Sequence, residues 1–405
     1  MESAPEIEAN CSQKSQNHTL RAFDVQPATR LIFGQGTLHK IGALAHELGG
    51  NRILVVTDEG IANAGHLDLA VEILREAGFR ISIFKDVHEN PSTADVHACM
   101  EVAKRNQSDL LIGLGGGSSM DTAKGCNFIL TNGGRMQDYH GTGKARKPML
   151  PLIAVPTTAG TGSECQSYAL IADETTHQKM ACGDPKAAPK VSILDPILTL
   201  SQPRHVTACT GMDAIAHALE TAVTKDRTHY SWMHALEATK LLMPNLSRVL
   251  EKPKDLIARG HMQIGAALAG IAIENSMLGA AHAAANPLTA KLNVIHGMAV
   301  GVMLPHVIRW NADDPNTAAS YAQLARECHL CGPSDSITEA VKKLIQEVKE
   351  TLQKAGIPST LAAHGVKESH LPELAAGAVQ QWTGHFNPIE ISHDDYLSIY
   401  QMALA

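Results

Sequence analysis

The chain has 405 residues, of which 44% are hydrophobic, 19% charged and only 4% aromatic. This composition is typical of a soluble globular protein, and the length is sufficient for two domains. A net charge of −7, with no basic run interleaved with aromatic residues, argues against nucleic acid as a partner. No apolar run reaches the length of a membrane span, so we expect no membrane partner.

The N-terminal segment is polar and contains acidic residues. It lacks the apolar centre of a secretory signal and the Arg-rich, acid-poor character of a transit peptide. We therefore predict a flexible tail over residues 1–22 and a cytoplasmic location. The scattered cysteines favour reduced thiols, and the lone CxxC at 328–331 has no second pair to complete a zinc site.

Strand and helix patterns alternate in the first half of the chain. An extended segment over 24–36 precedes the first helix. Short aliphatic runs predict buried parallel strands at 52–57, 81–84, 109–114, 152–155 and 191–194. Helical patterns are predicted at 37–48, 62–77, 93–105 and after the glycine run that begins at 115. This alternation predicts an α/β domain over residues 23–200, with a parallel sheet covered on both faces.

From Pro203 onward the alternation stops, and helical patterns follow one another to the C-terminus. We predict helices over residues 203–223, 231–250, 255–284, 296–311, 316–329, 336–354, 371–380 and 393–404. The second domain, over residues 201–405, is therefore expected to be all-helical.

A glycine run joins a predicted strand to a predicted helix. Residues 115–124 read GGGSSMDTAK. Glycines let backbone N–H groups approach a phosphate closely, and a helix N-terminus favours negative charge. The motif is not GxGxxG, so a tight turn without a ligand explains it equally well.

A second polar loop follows the next strand. Residues 156–164 read PTTAGTGSE. Ligands of open α/β sheets bind at the carboxyl ends of the strands, and two such loops predict a long phosphate-bearing ligand such as a dinucleotide. Asp58 follows the strand at 52–57, where an acid binds ribose hydroxyls and repels a 2′-phosphate. This favours NAD over NADP, with a helix N-cap as the alternative.

Four residues of the second domain have the chemistry of a metal site. Asp213 and His217 are four residues apart, which places both on one face of a helix. A largely apolar stretch further on carries His282 and His296. A single buried histidine is usually a core residue, but a carboxylate with three imidazoles forms a ligand set for a divalent metal. Glu220 is either a partner for a ligand N–H or the exposed edge of its helix.

These motifs together resemble the iron-dependent (group III) alcohol dehydrogenases, whose fold is shared with dehydroquinate synthase and glycerol dehydrogenase. The resemblance covers the chain from about Phe23 to the C-terminus and is carried by GGGSSMDTAK, PTTAGTGSE, TGMDAIAHALE and the paired histidines ahead of HG at 296–297. It implies a dinucleotide-binding α/β domain, an all-helical domain and an active site in the cleft between them.

The resemblance also implies roles for individual residues. The implied metal ligands are Asp213, His217, His282 and His296. The implied pyrophosphate contacts are Gly116, Gly117, Ser118 and Asp121. Residues that resemble those near the nicotinamide and its ribose are Thr157, Thr158, Thr161 and Lys179. Asp58 matches the ribose-binding acid of NAD-preferring members, and Asn90 resembles a residue beside the cofactor. The expected metal is Fe(II), with Zn(II) second.

One position departs from the family pattern. Many members carry a further histidine four residues after the third ligand, where this chain has Asn286. Helical spacing would put that group beside the metal, and in those members it is a candidate proton relay. Asparagine cannot exchange a proton at ordinary pH, so the proton path and the substrate class stay open. The usual proline before the last ligand is replaced by Ile295.

We therefore expect an NAD-dependent, metal-dependent alcohol dehydrogenase or aldehyde reductase that acts on a small alcohol or aldehyde. The alternatives are a hydroxyacid–oxoacid transhydrogenase that retains its NAD, a lyase similar to dehydroquinate synthase, and an NAD-binding scaffold without catalysis. Asn286 is the only feature that favours the scaffold, and the intact set of four candidate ligands argues against it. The resemblance further implies a homodimer or higher homo-oligomer, joined along an edge strand near residues 29–34.

Overall fold

The structure, a computed structural model, describes residues 21–175 and 179–405, so residues 1–20 of the predicted tail lie outside it. Its strands are β1 (Arg30–Phe33), β2 (Arg52–Val56), β3 (Arg80–Phe84), β4 (Leu110–Gly115), β5 (Gly141–Thr142), β6 (Leu152–Pro156), β7 (Tyr168–Ala172), β8 (Lys179–Gly183) and β9 (Val191–Leu194). Six of them form a parallel sheet in the order β1-β9-β6-β4-β2-β3. The predicted parallel sheet is therefore confirmed.

Helices cover both faces of this sheet. They are α1 (Ile41–Glu47), α2 (Glu59–Asn63), α3 (His66–Glu76), α4 (Thr93–Arg105) and α5 (Gly117–Asn132). Side chains of a strand alternate between faces, so Ile53 and Val55 of β2 pack in the core beneath α1 and α3. Leu54 and Val56 pack on the opposite face, in the core beneath α4 and α5. Burial on both faces explains why the strand sequences are continuously apolar.

The second half of the chain is helical, as predicted. Its helices are α6 (Arg204–Thr221), α7 (His229–Glu251), α8 (Leu256–Ser276), α9 (Ala280–Leu292), α10 (His296–Asn311), α11 (Pro315–Glu327), α12 (Ile337–Ala355), α13 (Leu371–Val379) and α14 (His393–Leu404). They enclose one large core rich in alanine. Local signals set several ends: Ser336 and Glu339 form a capping box at the start of α12, and Gly356 ends it in the left-handed conformation.

Two predicted helices are each two helices in the structure. The helix predicted over 62–77 is divided by Gly65, which has a φ of 81°. The helix predicted over 255–284 ends at Ser276, and Met277 has a φ of 64°. The new helix, α9, then starts at Ala280 and carries His282 in its first turn. Helical periodicity continues through both breaks, which is why it did not reveal them.

A small second sheet was not predicted. Its strand order is β5-β8-β7, with β7 and β8 antiparallel and β5 parallel to β8. The sequence prediction treated this region as part of the strand–helix alternation. The sheet lies beside α5, since Ala169 and Ile171 of β7 pack in the same core as Ala123 and Cys126 of α5.

Among the described residues, α8 is the one helix long and apolar enough to cross a membrane by length and composition. The structure buries 67% of its most apolar window inside the protein, as is typical of a core helix. Every cysteine in the described ranges is free, including Cys328 and Cys331.

Candidate active site

A cavity of about 370 Å³ lies between the carboxyl edge of the large sheet and the helical domain. The loop residues expected at the cofactor that line it are Asn90, Gly116, Gly117, Ser118, Asp121, Thr158, Thr161 and Lys179. The residues expected as metal ligands all line it as well, namely Asp213, His217, His282 and His296. Two of the predicted site residues, Asp58 and Thr157, do not line this cavity.

The two polar loops meet because the strands that precede them are neighbours. β4 and β6 pair in parallel, and the Thr157 amide donates to the carbonyl of Gly115 over 2.9 Å. A Cβ atom on Gly117 would lie only 2.7 Å from the Thr161 side chain. The N-terminus of α5 therefore faces the second loop with no room for a side chain at Gly117. This arrangement presents backbone N–H groups to the cavity, as an anionic ligand requires.

Asp121 and Lys124 join α5 to the second loop. Asp121 accepts a hydrogen bond from the Ser163 hydroxyl over 2.6 Å and one from the Leu170 amide over 3.3 Å. Lys124 is fully buried, and its ammonium donates to Ser163 and to the Tyr168 carbonyl. Burial raises the pKa of Asp121, while the charge of Lys124 acts in the opposite direction. These contacts make Asp121 a structural link as well as a lining residue.

Asp58 and Thr157 have structural partners outside the cavity. Asp58 is the N-cap of α2 and accepts a hydrogen bond from the Ile61 amide over 3.0 Å. The helix N-cap, which was the alternative to a ribose-binding role, is therefore observed. The Asp58 carboxylate is nevertheless close to the glycine turn, since a Cβ on Gly115 would lie 3.4 Å from it. Thr157 is buried behind the loop, and its hydroxyl has no hydrogen-bond partner among the described residues.

Three imidazoles converge on one carboxylate oxygen. The Nε2 atoms of His217, His282 and His296 lie 3.5, 3.3 and 3.8 Å from Oδ1 of Asp213. Neighbouring ligand atoms around a metal with bonds of about 2.1 Å are roughly 3.4 Å apart in a tetrahedral site. Asp213, His217 and His282 are buried and form the tightest group, while the His296 side chain is 24% exposed. The donor types and their spacing fit a divalent metal.

The opposite ring nitrogens of two of these histidines are held by the protein. Nδ1 of His217 lies 3.3 Å from the Gly160 carbonyl, and Nδ1 of His282 contacts Oε2 of Glu220. Glu220 also accepts from the Ala281 amide over 2.6 Å. A proton on Nδ1 leaves the Nε2 lone pair directed at the shared centre. Glu220 is therefore a partner of a histidine in the site, and the exposed-edge interpretation of Glu220 is wrong.

Electrostatics distinguish these groups. Burial lowers the pKa of His282, but Glu220 and Asp213 outweigh it and raise that pKa to about 9. Burial lowers the pKa of His296 to about 3 and also lowers that of His217. Burial acts to raise the pKa of Asp213, but the neighbouring imidazoles hold it well below its usual range. Without a metal, the cluster therefore holds a proton on His282 at neutral pH.

Asn286 lies one turn after His282 but does not line the cavity. Its amide nitrogen donates to the Gln381 side chain over 3.0 Å. This hydrogen bond ties the Asn286 amide to the residue before Trp382. A position of Asn286 beside the metal stays a prediction.

Sequence reasoning missed several residues of the cavity wall. These are Glu89, Gln166, Tyr168, Leu170, His205, Cys209, Ile273 and Leu278. Tyr168 and Leu170 belong to the unpredicted strand β7, and their alternation with buried Ala169 and Ile171 is the one signal that would have located them. Leu278 lies in the break between α8 and α9, which helical periodicity does not reveal.

Comparison with known proteins gives a consistent result. The model of the family described as iron-containing alcohol dehydrogenase matches residues 28–196, and that of its C-terminal region matches residues 207–404. The NAD-dependent methanol dehydrogenase of Bacillus methanolicus is 33% identical over 94% of this chain and 99% of its own. A crystal structure of 1,3-propanediol oxidoreductase aligns with a TM-score of 0.92 at 33% identity, covering 95% of this chain and all of that one. Sulfoacetaldehyde reductase from Bifidobacterium kashiwanohense, in complex with NAD+, aligns with a TM-score of 0.85 at 27% identity over 95% and 99% of the two chains.

The fold and the buried carboxylate–imidazole cluster are thus those of a two-domain dehydrogenase. The chain belongs to the iron-containing alcohol dehydrogenase family, and the protein is an oxidoreductase that acts on the CH–OH group. The relatives are dehydrogenases and reductases, so the transhydrogenase and scaffold alternatives are not favoured.

The contact between Glu220 and His282 gives a direct prediction. Glu220→Gln removes one of the two charges that raise the pKa of His282, so in metal-free protein that pKa should fall clearly below about 9. Histidine NMR titration measures the shift. Glu251→Gln, at the exposed end of α7, is the matched control and should leave the pKa of His282 in place. A pKa that stays near 9 in Glu220→Gln would contradict the assignment.

Proposed function

We propose that the protein is a metal-dependent and NAD-dependent alcohol dehydrogenase or aldehyde reductase for small substrates. The observation that carries this proposal is the convergence of three imidazole Nε2 atoms on Asp213 at one end of a cavity. The N-terminus of α5 reaches the same cavity. One cavity therefore holds donors suited to a metal and backbone groups suited to a dinucleotide phosphate.

The proposed metal ligands are Asp213, His217, His282 and His296. Imidazole and carboxylate donors suit Fe(II) and Zn(II) alike, and the family favours Fe(II) with Zn(II) second. His296 has a buried Nδ1 atom without a partner among the described residues, which a ligand or a water molecule in the cavity would satisfy. We propose NAD rather than NADP because Asp58 lies beside the glycine turn.

The proposed cofactor contacts follow the ends of four strands, β2, β3, β4 and β6, and include the first residue of β8. They are Asp58, Asn90, Gly116, Gly117, Ser118, Asp121, Thr157, Thr158, Thr161 and Lys179. The Lys179 ammonium lies 3.4 Å from the Asn90 side-chain oxygen, which brings the small sheet to the loop after β3. Asp58 and Thr157 do not line the cavity, but both lie next to Gly115 at the start of the glycine turn. We propose that they contribute to cofactor binding from there.

The chain's own residues set the conditions for hydride transfer. A divalent ion in this site lowers the pKa of a substrate alcohol and, in the reverse direction, polarises the carbonyl. Glu220 and the Gly160 carbonyl contact Nδ1 of His282 and His217, which orients both Nε2 atoms toward Asp213. The helical domain forms one side of the cavity. Asn286 holds Gln381 and relays no proton.

Three further properties are part of the proposal. We place the domain boundary near residue 200, between the end of β9 at Leu194 and the start of α6 at Arg204. We propose a homodimer or higher homo-oligomer joined along β1, an edge strand with exposed Leu31 and Phe33. A cytoplasmic location is supported by the free cysteines of the described ranges.

Removal of a ligand should separate metal binding from cofactor binding. Asp213→Ala is expected to weaken metal affinity by more than about 100-fold, beyond the usual loss for an outer partner, and to abolish turnover. NADH binding should persist, because the loops that hold it are intact. Metal analysis, NADH absorbance assays with small aldehydes and NADH titration measure the three properties. Asp394→Ala, at a residue that is 93% exposed, is the control. Full activity in metal-free Asp213→Ala would refute the ligand assignment.

Metal affinity should depend on pH through His282. Its pKa is raised to about 9, so below that pH a metal must displace a proton from Nε2. Affinity is therefore expected to rise with pH by about tenfold per unit between about pH 6.5 and 8.5. Competition with a chelator of known pH dependence measures this slope. A flat profile would show that His282 is already neutral or is not a ligand.

Asp58 allows a test of cofactor preference that spares the fold. Asp58→Ser keeps an N-cap oxygen for α2 but removes the charge, so stability should change by less than about 1 kcal/mol. The preference for NAD over NADP, measured as a ratio of kcat/KM, should fall at least about tenfold because the repulsion of the 2′-phosphate is lost. Asp58→Gly should have the same effect on preference. An unchanged ratio in both variants would remove Asp58 from the cofactor site.

A further inference from the structure

Two aromatic side chains from different domains stack beside the cavity. Tyr168 of β7 and Trp382 have ring centroids 5.9 Å apart and planes inclined by 23°. Tyr168 lines the cavity, and Trp382 begins the 3₁₀ turn Trp382–Phe386 between α13 and α14. The stack joins the small sheet of the first domain to the C-terminal part of the helical domain.

The Tyr168 ring is fixed from several sides. Its hydroxyl lies 3.2 Å from the Thr142 hydroxyl of β5, and its carbonyl accepts from the buried ammonium of Lys124 over 2.9 Å. Gly183 of β8 lies against the ring, where any Cβ atom would collide with it. The preceding residue, Ser167, is bound to Glu274 of α8 through both its amide and its hydroxyl. The ring therefore has little freedom to move out of the cavity wall.

Trp382 is attached to the helix that carries His282. The residue before it, Gln381, accepts a hydrogen bond from Asn286 of α9 over 3.0 Å. Within the same turn, a Cβ on Gly384 would lie 3.3 Å from Ala283, the residue after His282. Phe386 supports the indole edge-on, with centroids 5.9 Å apart. The position of Trp382 is thus coupled to α9, beside the metal cluster.

We propose that the Tyr168–Trp382 stack is the wall that limits the length of the substrate's carbon chain, and that Asn286 is a positioning residue for this wall. The inference rests on the proposed dehydrogenase function. The cavity lining also includes the apolar side chains of Leu170, Ile273 and Leu278. An aliphatic chain would bury its surface against them, so the substrate class that fits is a short aliphatic alcohol or aldehyde.

The test compares a short aldehyde with a long one. For metal-loaded enzyme and NADH, the ratio of kcat/KM for hexanal to that for propanal should be low. Tyr168→Ala and Trp382→Ala should each raise this ratio at least about tenfold, in the range expected when a pocket gains room for methylene groups. Tyr168→Phe keeps the ring and should keep the ratio low. Tyr230→Ala removes an aromatic ring that does not line the cavity and should leave the ratio unchanged.

A double variant tests whether the two rings limit chain length together or whether each substitution only disturbs local packing. In the double variant Tyr168→Ala/Trp382→Ala the gain should be less than the product of the single gains, because either truncation already opens the stack. Asn286→Ala should raise the ratio by a smaller factor while metal content stays the same. If Tyr168→Ala does not fold, the ratio of kcat/KM for hexanal to that for propanal in Trp382→Ala tests the proposal. A ratio unchanged in folded variants would overturn the proposal.

Equilibrium binding separates this inference from the proposed function. Propanamide and hexanamide mimic the aldehydes without reacting, and their dissociation constants with the metal-loaded enzyme and NADH can be measured by calorimetry. Tyr168→Ala should tighten hexanamide binding about tenfold relative to propanamide. If the protein reduces neither aldehyde but Tyr168→Ala still tightens hexanamide binding relative to propanamide, the proposed function is refuted. The proposal that the stack limits chain length then stands. Equal effects on both amides would refute the wall.

Discussion

The structure depends on the burial of one carboxylate among three imidazoles. A buried charge is costly unless it is paired, and Asp213 has Nε2 atoms at 3.3–3.8 Å in an otherwise alanine-rich core. Two of the imidazoles are oriented by the protein, since Glu220 and the Gly160 carbonyl contact the opposite ring nitrogens of His282 and His217. Helix α6 is consequently buried on nearly every side, since it carries both the carboxylate and Glu220.

The same constraint joins the two domains. Gly160 belongs to the loop after β6, whose residues Thr158 and Thr161 line the cavity next to the N-terminus of α5. Gly162 of this loop packs so closely on Gly270 of α8 that a Cβ on Gly162 would lie 2.6 Å from its backbone. Glycine at these positions lets the loop reach the histidine, because any side chain would separate the sheet edge from the helices. A single loop thereby connects the glycine turn to the cluster of Asp213 and the three histidines.

Asn286 connects α9 to the segment that follows α13. It lies one turn after His282, and its amide donates a hydrogen bond to Gln381. That contact fixes the segment leading to Trp382, and Trp382 contacts Tyr168 of the small sheet. The residue that cannot transfer a proton is therefore part of the structural support for the cavity wall.

Local signals in the sequence determined most of the elements and the shared face of Asp213 and His217. The helices at 93–105 and 296–311 have the predicted ends, and Asp213 and His217 share a face because helical spacing is a property of the chain alone. Tertiary structure decided the break before α9, the hairpin that carries Tyr168, and the buried position of Glu220. It also decided that Asn286 forms a hydrogen bond with Gln381, which is 95 positions away in the chain. Periodicity records which side of an element is apolar, but contacts between distant elements depend on how those elements pack.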